Sequence, residues 1–77
     1  GRYDFVIEPK NKSKRAYIME FKSTDSVEKL EEVSKEALKQ IEDKKYDISL
    51  KQNEVKEITY MGIAFYGKQI KISYKSE

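Results

Sequence analysis

The chain has 77 residues, of which 39% are charged and 38% hydrophobic, and a formal net charge of +2. That bounds it to one domain with a small core, and so low a charge does not by itself mark a nucleic-acid binder. With no Cys and no His, disulfides, thiolate metal sites, histidine general-base chemistry and the common zinc sites are excluded, and any metal must be held by oxygen, as Mg2+ or Mn2+ prefers.

No apolar run approaches membrane-spanning length and no signal peptide is evident, so no membrane partner and a cytoplasmic setting are expected. Residues 1–4 run almost directly into a strand. The expectation is one domain over residues 1–77, excised from a longer protein.

Residues 3–8 read as a strand stopped by Pro9, which cannot donate to a ladder. Residues 10–15 are a polar, basic turn. Residues 16–22 form the organising strand: five of the seven are apolar and there is no Gly or Pro. Its apolar residues occur at both parities, which predicts a central strand covered on both faces. Strands joined by so short a connection should form an antiparallel hairpin.

Residues 23–26 are a helix-start signal, with Asp25 or Ser26 as cap and Glu28, Glu31 and Glu32 suited to the positive end of the dipole. Val27, Leu30, Val33, Ala37, Leu38 and Ile41 recur at helical spacing. Lys44 and Lys45 suit the negative end, so the helix is placed at about 26–45, with Tyr46 packing just beyond it. Residues 47–56 read as a loop with a short turn around Ile48 and Leu50. Residues 58–66 are a second strongly apolar strand. Gly67 and Lys68 make a Gly-first hairpin turn. Residues 69–75 alternate, with Ile70, Ile72 and Tyr74 expected inward and Lys71, Ser73 and Lys75 outward, as on a protected sheet edge. The order is β-β-α-β-β, with the helix as a parallel crossover.

Glu20 and Lys22 interrupt the organising strand and share one face with Ala16 and Ile18. Charges at the edge of a buried surface are costly unless paired or bound to something. If the hairpin register pairs Asp4 with Glu20, the two Cβ atoms lie about 5 Å apart. Carboxylates that close repel unless a cation intervenes. A divalent ion between them, with Lys22 beside it, has the parts for metal-assisted phosphodiester hydrolysis. Gln40 lies on the flank of the helical stripe, where a neutral amide reaches toward the strand face. The bland alternatives stay open on these residues alone: a solvated Asp4, a weak Glu20–Lys22 ion pair and a surface Gln40.

Asp4, then Glu20-x-Lys22 ending an apolar strand, then a helix carrying Gln40, resembles the PD-(D/E)xK nuclease superfamily. The segments Gly1-Arg2-Tyr3-Asp4, Ile7-Glu8-Pro9-Lys10, Ile18-Met19-Glu20-Phe21-Lys22, Ala37-Leu38-Lys39-Gln40-Ile41, Lys45-Tyr46-Asp47 and Gly62-Ile63-Ala64-Phe65-Tyr66-Gly67-Lys68 resemble one branch. That branch is the nuclease-like domain found C-terminal to an AAA-type ATPase-like domain in bacterial proteins. The resemblance implies an α/β, restriction-endonuclease-like mixed sheet with one main helix. The family's core is α-β-β-β-α-β, so its first helix and strand should precede Gly1 and the core is read as truncated. The residue before the aspartate is Tyr3 where the family's name has proline.

Carried over by position, Asp4 and Glu20 are implied metal ligands for Mg2+ or Mn2+, Lys22 the catalytic lysine and Gln40 a residue that helps orient the site. The implied function is Mg2+-dependent hydrolysis of DNA or RNA. The alternative is a catalytically inactive nuclease-fold module for nucleic-acid or protein interaction. The implied partners are nucleic acid and the ATPase-like domain. A truncated core leaves an edge and an apolar face open, which adds a homo-oligomer to the expected partners.

Overall fold

The computed structural model describes residues 2–11, 14–44 and 46–76, without the side chains of Arg2, Tyr3 and Asp47. The expected basic turn at 10–15 and the helix end at Lys45 therefore fall partly outside the described residues.

The two apolar runs become neighbouring central strands. In chain order the elements are β1 (Arg2–Ile7), β2 (Ala16–Ser23), a 3-10 turn (Val27–Lys29) running into α1 (Leu30–Asp43), α2 (Tyr46–Gln52), β3 (Ile58–Tyr66) and β4 (Gln69–Ser76). They build a four-stranded mixed sheet of order β1-β2-β3-β4. The β1/β2 and β3/β4 pairs are antiparallel and β2/β3 is parallel. This is the expected restriction-endonuclease-like arrangement, with one main helix between the parallel strands.

Helix α1 begins without the expected side-chain cap. Ser26 is extended and its hydroxyl makes no capping bond, while Asp25 pairs instead with Lys29 at 3.4 Å. Leu30, Ala37 and Ile41 of the apolar stripe are buried, but Val27, in the 3-10 turn, is exposed. The core joins Ala16 and Ile18 of β2, Ile58 and Tyr60 of β3, Ile41 of α1, Leu50 and Val55, with Leu38 and Tyr46 packed alongside.

Three expectations are corrected. Residues 47–56 are not all loop, because Asp47 to Gln52 belong to α2. Leu50 anchors that short helix in the core at 2% exposure, and its carbonyl accepts the Val55 N–H at 3.0 Å. One buried Leu in a polar stretch outweighs the lack of an apolar stripe. The second concerns β2, which is central but covered on one face only. Tyr17, on its other side, is exposed, as are Phe5 and Ile7 of β1.

The third correction is the orientation of β4. The turn at Gly67, whose φ is 59°, pairs Tyr66 with Gln69, which sets Ile70 beside Phe65 and Ile72 beside Ile63. Paired residues share a face, so Ile70, Ile72 and Tyr74 extend the uncovered face, with Ile70 61% and Tyr74 70% exposed. Ser73 and Lys75 point to the helix side instead. Ser73 shares a 2.7 Å hydrogen bond with the buried Ser34 of α1, and Lys75 pairs with Glu42 at 3.5 Å. The edge lysine is thus used against α1.

Candidate active site

The hairpin register places Asp4 directly opposite Glu20. On the other side of Glu20, the parallel register sets Gly62 of β3. A Cβ at Gly62 would collide with the Ser34 carbonyl and the Leu38 amide of α1. The helix backbone therefore lies directly on that strand, and Glu20 is enclosed beneath it at 0% exposure.

A buried carboxylate next to a second one needs a counter-charge. Lys44, at the C-cap of α1, supplies it. Its ammonium donates to Asp4 Oδ2 at 2.6 Å and to Glu20 Oε1 at 3.0 Å. The Tyr46 hydroxyl donates to the same Asp4 oxygen at 2.7 Å. Burial pushes the Asp4 carboxyl up, but the hydrogen bonds from Lys44 and Tyr46 outweigh it and hold the group below its ordinary value. The bonds to Asp4 and then Glu20 raise Lys44. The phenol of Tyr46 is raised chiefly by its bond to the Asp4 carboxylate.

Of the expected site residues, Asp4 and Glu20 converge on a single nitrogen. Lys22 shares their side of β2, but its ammonium lies against Glu36 Oε2 of α1 at 3.4 Å. Gln40 is half-buried, one helical turn before Lys44 and so on the same flank of α1. Its Oε1, like Asp4 Oδ1, is buried and accepts no hydrogen bond from the described residues. Among the described residues no group of three or more His, Cys, Asp or Glu is placed to hold a metal.

Sequence reasoning missed three contributors. From the sequence alone Lys44 serves the helix dipole and Tyr46 packs beyond the helix, and Gly62 carries no role of its own. A glycine inside an apolar strand is itself the signal for close backbone approach.

These donors fit a hard cation. They are oxygens only, and buried Asp4 Oδ1 and Gln40 Oε1 lack hydrogen-bond partners among the described residues. Mg2+ is commonly held by one or two carboxylates, with water and substrate phosphates completing its shell.

A family model described as the PD-(D/E)XK nuclease superfamily matches residues 1–75. The chain belongs to the PD-(D/E)XK nuclease superfamily. No curated protein and no solved structure matches it. Within this superfamily member, the acid pair on the hairpin and the helix after it stand in the expected order, with Lys44 and Tyr46 added to the pair. Among its described residues, no helix is long and apolar enough to cross a membrane.

Proposed function

We propose that this nuclease-type domain hydrolyses phosphodiester bonds of DNA, or of RNA, with Mg2+ or Mn2+. The observation that supports the reading is the convergence of Asp4 and Glu20 on one cation, the Lys44 ammonium. A pair arranged around one cation suits another. Asp4 and Glu20 would hold the divalent ion, and Gln40, one helical turn before Lys44 on α1, would help to orient the site. When bound, the ion supplies an acidified water and polarises the phosphate. Lys22, on the same side of β2 and 26% exposed at its side chain, would leave Glu36 for a phosphate oxygen and steady the developing charge.

We further infer that the chain belongs to the bacterial branch that follows an AAA-type ATPase-like domain, on the strength of the segments quoted above. Nucleic acid and that ATPase-like domain are then its partners, together with a second copy through the uncovered apolar face. A cytoplasmic location goes with a nucleic-acid substrate.

Plasmid cleavage tests the proposal. Cutting should require Mg2+ or Mn2+ and stop with chelator. Lys22→Ala should abolish turnover while leaving metal binding largely intact, because the lysine acts on the phosphate. Glu20→Ala should lose the metal as well, since it removes a charged ligand. Nucleic-acid binding that ignores metal, with no cleavage by the wild type, would favour the inactive binding module.

A further inference from the structure

We propose that Lys44 is a built-in competitor for the divalent ion, its ammonium filling the place between Asp4 and Glu20 that the ion would take. The inference rests on the metal-site reading above and deepens it. One nitrogen lies 2.6 Å from Asp4 Oδ2 on β1 and 3.0 Å from Glu20 Oε1 on β2. It bridges two carboxylates from two strands, as a bound cation does. The other lysines at this helix–sheet boundary differ. Lys22 and Lys75 each pair with a carboxylate on α1, Glu36 and Glu42, whose side chains are 50% and 36% exposed.

A divalent ion and an ammonium on the same oxygens would set like charges in contact. Metal entry is therefore an exchange: the ammonium leaves as the ion arrives. The fold permits it without unwinding α1, because the Lys44 backbone N–H stays bonded to the Gln40 and Ile41 carbonyls at 3.2 Å each. The side chain is 32% exposed, so a displaced ammonium has solvent to enter. Without the ion, the single positive charge of Lys44 offsets part of the repulsion between the two carboxylates. With it, Lys44 sets how much metal is needed. The site is thus folded at low metal and charged only when divalent ion is abundant.

Two measurements test this, neither of which needs nucleic acid. Calorimetric titration with MnCl2 at one fixed pH compares wild type with Lys44→Met. The competitor role predicts at least tenfold tighter binding by Lys44→Met. Acetylation of wild-type lysines, read by mass spectrometry, supplies the second. Lys44 should be protected without Mg2+ and modified readily with it, while Lys35 on the exposed side of α1 is unchanged. Equal affinity in the two chains overturns the competitor role and leaves the metal site standing. Weaker binding by Lys44→Met also overturns it, making Lys44 a support for the ion. Binding by neither chain overturns the metal reading and this proposal together. If Lys44→Met does not fold, the labelling decides alone, and no Mg2+-dependent rise at Lys44 overturns the role.

Discussion

The two faces of the sheet are made from the same strands and differ in kind. The face under α1 holds the apolar core and, at one end, two carboxylates, a lysine and a phenol in contact. The opposite face carries Phe5, Ile7, Tyr17, Phe21, Ile70, Ile72 and Tyr74, with the Phe5 and Phe21 rings meeting edge-on at 5.7 Å. Beside the apolar core one carboxylate, Glu20, is fully enclosed, while the other face leaves aromatic and aliphatic side chains open. Each half teaches something. The charges at the site edge are held there by one another, through the contacts of Lys44 with Asp4 and Glu20 and of Tyr46 with Asp4. The open apolar face is the surface through which a second copy is proposed to associate.

The largest contrast should appear on truncating one residue from each face. Ile18→Ala, fully buried under α1, should cost about 4 kcal/mol. Ile70→Ala, mostly exposed, should cost less than about 1 kcal/mol. Urea denaturation of both variants checks this. Comparable losses would mean that the uncovered face is covered in solution.

A somewhat smaller effect is expected at Gly62. Gly62→Ala puts a methyl into the α1 backbone and should cost about 3 kcal/mol, because the helix must lift from β3. The same lift should open Glu20 to solvent. Hydrogen exchange at α1 amides reads it, and unchanged protection would contradict the close packing.

The smallest effect is a pH dependence confined to the charged face. The folded Asp4 carboxyl lies below its ordinary value of 3.8. Its contribution to stability is therefore present above that value and is lost as pH falls through the folded one. Stability should drop below about pH 4, and Asp4→Asn should flatten that acid limb. Thermal melts across the range check it. An unchanged limb in Asp4→Asn would place the acid sensitivity elsewhere.

Much of this was readable from residue order. The apolar runs gave the central strands, and parity put Glu20 and Lys22 on one face, with Asp4 opposite Glu20 once the hairpin register was even. What could not be read was which face each later element would meet. In β4 an alternating pattern says that two faces differ, not which one α1 covers. The inward assignment of Ile70, Ile72 and Tyr74 assumed that apolar means covered. Helix α2 escaped because a single buried Leu50 leaves no period to detect. Lys44 escaped because a lysine at a helix end satisfies the dipole whether or not a carboxylate waits beyond it. The Lys22–Glu36 pair was hidden for the same reason: it joins elements whose packing angle no spacing reveals.

The proposed role of Asp4 and Glu20 is to hold a divalent ion. The most direct measurement is the electron paramagnetic resonance signal of free Mn2+ as protein is added. Wild type should remove it with one ion per chain, and Glu20→Gln should leave it nearly unchanged, since one charged ligand is gone. A free-Mn2+ signal that neither chain reduces, or that both reduce equally, would contradict the assignment.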